Sequence, residues 1–344
     1  MIQITGLKYA IAITLALLLT SFTVGAGASA DSTPRLNQSH LNNGKPGTAT
    51  PTSLRVVLWR EPADIESRDL FYGPGGRAGA PDTSTPFTFV RHSKSGTQKK
   101  VIVEDNQGRE WTVKFGREAR PETTATRIFW AAGYHVDQNY FVPQARIIGK
   151  ENIDARNVRF ERRDDGYKEI GHWEWSKNPF LGTCELDGLK VLMALLKNWD
   201  FKTINNDIVY SKKKPGPNIY YISDLGATFG QTGTFINSVP LFSNWPVGIS
   251  FTPQKVKANP QGFADERFIE EVRDGMVNFY ARNDHVRSRF KGISVANARW
   301  MGNLLGRLSD KQLADAFCAG GFNQAETALY VSILRGRIRQ LQLL

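Results

Sequence analysis

Residues 186–226 constrain this chain more than any other stretch. Leu186, Leu189, Leu192, Met193 and Leu196 recur at helical spacing, so the segment opens as an amphipathic helix. It runs into Asn198-Trp199-Asp200, a polar loop closing on the pair Asn205-Asn206. Two β-type runs follow, residues 207–210 and 219–223, and the Pro and Gly between them predict the turn of a hairpin. The second run delivers the chain into Asp224-Leu225-Gly226. Two carboxylates and a carboxamide therefore stand at the ends of rigid elements and face a common space. Magnesium takes hard oxygen ligands, one or two of them carboxylates. Phosphoryl transfer asks a protein mainly to hold that metal and aim an acceptor hydroxyl. Taken singly, Asp200, Asn205 and Asp224 would only cap turns; their joint order gives them a chemical use.

The start of the chain reads as a targeting segment. Lys8 precedes an apolar run to about Val24, and Ala28-Ser29-Ala30 forms an A-x-A cleavage site, which predicts a signal peptide over residues 1–30. Export follows as an expectation, to the periplasm or the exterior of a bacterium. No second apolar run is long enough to span a bilayer, so no membrane span is expected after cleavage. Residues 31–53, rich in Ser, Thr, Asn, Gly and Pro, predict a flexible leader. The 44 Lys and Arg against 33 Asp and Glu give a formal charge of +11, which favours anionic partners. The basic residues form no dense block, so dedicated nucleic-acid binding is not expected. Cys184 and Cys318 leave a disulfide or two thiols equally open, and nothing has zinc spacing.

In the front half, residues 54–59 predict a first strand and residues 71–86 a Gly/Pro-rich linker. Residues 87–115 alternate as three antiparallel strands with turns at Ser95-Gly96 and Asn106-Gln107-Gly108. Lys114, between Val113 and Phe115, reads on its own as an outward-facing charge on one sheet face, and any other role depends on a Glu reaching it. A helix from Glu122, with Pro121 at its start and Gly133 at its exit, supplies one candidate; Glu118 is the competitor. Glu122 in the first turn also meets the helix dipole. A strand over 141–148 and a polar, charge-mixed stretch to 165 follow. Trp173 and Trp175 are expected in the core, and His172 is given no metal or base role. Beyond Gly226, residues 227–260, with many Gly, Pro, Asn and Phe residues, read as a loop. Helices are expected over 265–280, 295–308, 312–318 and 323–344, with capping boxes opening the last two.

The run from Asn198 to Asn205 followed by Asp224-Leu225-Gly226 resembles the H-R-D-x-x-x-x-N and D-F-G motifs of the protein-kinase-like superfamily. The strand with Lys114, the helix from Glu122 closing in Ala132-Gly133-Tyr134 and the later Val142-Pro143 resemble its atypical branch, the HipA-type and phosphoinositide-type kinases. The resemblance implies a two-lobed α+β fold, with a β-rich N-lobe over 54–165 and a mainly helical C-lobe over 166–344. It implies ATP or a related nucleotide with Mg or Mn, and a hydroxyl acceptor on protein, lipid or a small molecule. Lys114 would hold phosphates and Glu122 orient it. Asp200 would orient or deprotonate the acceptor, with Lys202 offsetting phosphoryl charge. Asn205 and Asp224 would be the metal ligands, Asn206 replacing Asn205 if the register shifts by one. The chain departs from the motif where Asn198 and Trp199 replace His and Arg, and it lacks a standard glycine loop and A-P-E. Two further readings stand beside it: a catalytically inactive kinase-like binding module of the cell envelope, and a basic exported domain whose Asp and Asn only cap turns.

Overall fold

Strands that bury one face need a cover, and residues 87–162 supply it by closing on themselves. The computed structural model describes residues 55–93, 99–163, 166–213, 215–230, 260–281 and 284–344, all in one compact unit. A short strand β1 (Val56–Val57) precedes β2 (Phe87–His92), β3 (Lys100–Glu104) and β4 (Glu110–Lys114). Helix α1 (Ala119–Ala131) and β5 (His135–Val136) follow, then the long hairpin β6 (Asn139–Ile148) and β7 (Ile153–Arg162). Strands β2–β3–β4–β7–β6 form a closed barrel, the last seam being a parallel pairing of β2 with β6. Its interior is an apolar core of its own, including Phe87, Val101, Trp111, Val142 and Phe160. Closure leaves no edge strand to protect.

The second half is built on β8 (Tyr167–His172), α2 (Cys184–Leu195), β9 (Asp207–Ser211) and β10 (Asn218–Ile222). β10 is the pivot, antiparallel to β9 and parallel to both β1 and β5. The chain continues through α3 (Pro260–Ala264), β11 (Ile269–Arg273), β12 (Met276–Phe279), α4 (Asp284–Arg289) and β13 (Ile293–Ser294). It ends in α5 (Val295–Gly306), α6 (Asp310–Ala319) and α7 (Gln324–Gln342). The periodic leucines of α2 are buried in a second, larger core shared with α1, α5, α6 and α7. Trp173 and Trp175 belong to it, as their apolar bulk demands. The architecture is α+β.

Several elements differ from the sequence expectation. Residues 265–280 are not a helix: β11 and β12 form a hairpin around Asp274-Gly275, both at positive φ (52° and 73°). An Asp-Gly pair is the residue choice for such a two-residue turn, and it outweighs apolar positions that fit a helix as well. The charge-mixed stretch before 165 is strand β7, which buries Ala155, Val158 and Phe160 in the barrel, exposes Asp154 and Arg156, and buries Arg159 against α1. Residues 71–86 are packed rather than a free linker. The Tyr140 hydroxyl donates to the Gly76 carbonyl (3.0 Å), and a Cβ on Gly75 would sit 2.0 Å from that hydroxyl oxygen. The first strand shrinks to Val56–Val57, and α1 starts at Ala119, three residues before Glu122. Cys184 and Cys318 are both free thiols. The signal peptide, the leader, the Ser95-Gly96 turn and residues 231–259 lie outside the described residues.

A candidate active site around Lys114

β4 ends with Lys114 opposite Lys100 on one neighbour and Arg159 of β7 on the other. Three cations abreast repel unless acids intervene. α1 supplies them. Lys114 Nζ lies 2.9 Å from Glu118 and donates to Glu122 Oε2 at 3.0 Å. The other oxygen of Glu122 accepts from Arg159, which also binds Glu161. The fourth acid comes from far along the chain: Asp224 Oδ1 accepts from Lys114 at 2.6 Å. Lys114 is 2% exposed and Glu122 1%, whereas the Asp224 side chain keeps 42% of its surface. Both Glu118 and Glu122 thus serve Lys114, so the competition between them has no single winner.

Burial alone would lower the Lys114 ammonium, but the Glu122 and Asp224 carboxylates outweigh it and hold the group well above its ordinary value. Burial works against the Asp224 anion too; the Lys114 charge and hydrogen bond prevail and keep its carboxyl below the usual range.

Asp224 is placed by the backbone around it. Its φ of 51° lies in the left-handed region, a conformation that costs a non-glycine residue about 1 kcal/mol or more. Ser223 N–H donates to the Asn205 carbonyl (2.8 Å), which seats the start of the Asp-Leu-Gly turn against the polar loop. Leu225 is buried in the larger core. Gly226 passes so close to α1 that a Cβ there would lie 2.7 Å from Glu118 Cβ.

The polar loop begins at the end of α2. Lys197 takes φ 57°, Asn198 N–H reaches the Met193 carbonyl (2.8 Å) and Lys197 N–H that of Ala194 (3.1 Å). This is a Schellman ending with lysine where glycine is usual. Its ammonium is used, binding the carbonyls of Arg267 and Tyr280. The Asn198 side chain then accepts from Asp200 N–H (2.8 Å), and buried Phe201 packs edge-on against Trp175. Asp200 pairs with Lys202 at 2.8 Å. Among the described residues this pair makes no hydrogen bond to the Lys114 group. The Asn206 amide is committed to the Trp173 carbonyl (3.2 Å), while the buried Nδ2 of Asn205 has no partner among the described residues.

Arg159 was not singled out in the sequence, although it lies between Val158 and Phe160 just as Lys114 lies between Val113 and Phe115. Asp137, after β5, was also missed: burial, then nearby Glu161, pushes its carboxyl well above the usual value. His172 has a partner after all, with Nδ1 2.9 Å from Asp207.

The donor set fits a divalent cation. Four carboxylates (Glu118, Glu122, Glu161, Asp224) face only two cations (Lys114, Arg159) in direct contact with them. Oxygens of Glu118, Glu122 and Asp224 lie within 4.8 Å of one another. Asn205, whose backbone carbonyl holds Ser223 N–H, carries a carboxamide oxygen of the same hard type on the neighbouring loop.

No family model matches this chain, and no curated protein does. Among solved structures, the crystal structure of a Helicobacter pylori proinflammatory kinase, CtkA, is similar with a TM-score of 0.43 and 13% identity, covering 75% of this chain and 96% of that one. A likeness of that size assigns the chain to no family.

Proposed function

We propose that this protein is an exported, two-lobed kinase-like phosphotransferase that binds ATP or a related nucleotide with Mg or Mn. It would transfer a phosphoryl group to a hydroxyl acceptor. One observation carries the reading: a buried lysine, a helix glutamate and a half-exposed aspartate 110 residues away meet at one point. Lys114 holds nucleotide phosphate oxygens, Glu122 keeps its ammonium in place, and Arg159 fixes Glu122 from behind. Asp224 and Asn205 would hold the divalent cation, which when bound neutralises and orients the phosphates. Asp200 takes the acceptor's proton as the new O–P bond forms and the bond to the leaving nucleotide oxygen breaks. Lys202 offsets charge on the transferring group.

The test is thermal stability with and without nucleotide and metal. Ligand at about a hundred times Kd stabilises by about 2.7 kcal/mol, roughly 4–5 °C in a domain of this size. Asp224→Ala should abolish the metal-dependent part; Asp200→Ala should keep binding and lose transfer. No shift with any nucleotide refutes the reading. Binding with no transfer to any acceptor would favour an inactive kinase-like module, a reading that the pairing of Asp200 with Lys202 also suits.

A further inference from the structure

A cavity of about 490 Å³ lies outside the Lys114 cluster, where the start of α1, strand β7 and the α6–α7 turn come together. Arg117, Arg120 and Arg156 line it with Asn157, Asn323 and Glu326. Three guanidinium groups against one carboxylate leave a cationic hollow, and that carboxylate is already occupied. Glu326 accepts from Arg120 (2.7 Å) and from Asn323 N–H (3.0 Å) as part of the α7 capping box. Although burial opposes it, these donors hold Glu326 below the usual carboxyl range. Arg120 is further fixed by the Gly321 carbonyl (2.8 Å) and by stacking 4.1 Å over Phe322. Arg117 and Arg156 are exposed and have no ion-pair partner among the described residues.

The helix end adds to this field. α1 has no side-chain cap, because Glu118, at its N-cap position, turns to Lys114 instead. The positive end of a thirteen-residue helix therefore opens beside the arginines with its own carboxylate drawn away. A guanidinium fork matches phosphate oxygens two at a time.

We propose that this hollow is a phosphate site, in which Arg117 and Arg156 close on a dianionic phosphate monoester that the preset Arg120 and the start of α1 receive. The ligand's source is either a small phosphorylated compound or a phosphorylated side chain, since both present the same group.

Isothermal titration of the full chain with inorganic phosphate, at constant ionic strength, tests it. The double variant Arg117→Gln/Arg156→Gln changes two exposed residues and should keep the wild-type melting temperature without phosphate. Its affinity for phosphate should fall at least tenfold. Asp224→Ala, which disables the proposed metal–nucleotide site and leaves Glu118 held by Lys114, should leave phosphate affinity within about twofold, so failure here is separable from failure there. Unchanged affinity in the double variant overturns the proposal, as does loss of phosphate binding in Asp224→Ala alone. O-phosphoserine and a phosphoserine peptide in further titrations distinguish the sources: tighter binding of the peptide assigns a protein side chain, and equal binding a small compound.

Discussion

The Lys114 cluster and the Asp200 loop are two ways of holding charge. Around Lys114, the partners come from β4, α1, β7 and the turn after β10, and the cations are 2–4% exposed. At Asp200 the partner is two residues away, with the Lys202 side chain 62% exposed. The first arrangement exists only if the whole fold exists, and its charges are desolvated. The second is local: an acid whose side chain is 10% exposed meets a lysine that reaches into solvent. The whole fold fixes the first cluster, and a three-residue stretch of loop fixes the second.

The comparison breaks most directly at Glu122. Glu122→Ala removes the one carboxylate that Lys114 and Arg159 share, leaving Lys114 to Glu118 and Asp224 and Arg159 to Glu161, and should destabilise the protein by about 3 kcal/mol, read as a fall in the urea midpoint. A loss under about 1 kcal/mol would mean that the cluster is no more fold-dependent than the loop. Gly226→Ala forces a methyl against Glu118 Cβ, expected to cost about 1–3 kcal/mol. Under the proposed function it should also weaken nucleotide binding, since Asp224 sits two residues before it.

Asp137 sharpens the comparison through pH. Its folded pKa is raised, so above the ordinary carboxyl range the unfolded chain releases a proton that the folded chain retains. Stability from this group is present in acid and lost as pH rises. Asp137→Asn should therefore match wild type at pH 4 and be more stable at pH 7.5; the opposite order would place its carboxyl elsewhere. The smallest effect belongs to Asp200→Asn, about 1 kcal/mol in stability because its partner Lys202 is exposed; under the proposed function the loss falls in transfer.

Much of this was readable where the determinants were local. The helix, polar loop and hairpin of residues 186–226 follow from periodicity and turn chemistry, and Lys114 and Glu122 lie only eight positions apart. The closed barrel was not readable, because the β2–β6 seam joins residues sixty apart with no pattern marking the partner. Arg159 carried the same apolar-flanked signal as Lys114 but sat in a stretch whose outward charges disguised a strand. The β11–β12 hairpin was hidden by apolar positions compatible with two periods, although Asp274-Gly275 marked its turn.

The close passage of Gly226 under Glu118 has a mechanical consequence. Thr228 donates to the carbonyl of Pro121 in the same helix turn (3.4 Å), and Lys114 ties both strips together from the barrel side. The front of α1 and the turn bearing Asp224 are thereby riveted at three points, so neither swings away alone. Any opening of this molecule moves that helix and that aspartate as a single lever.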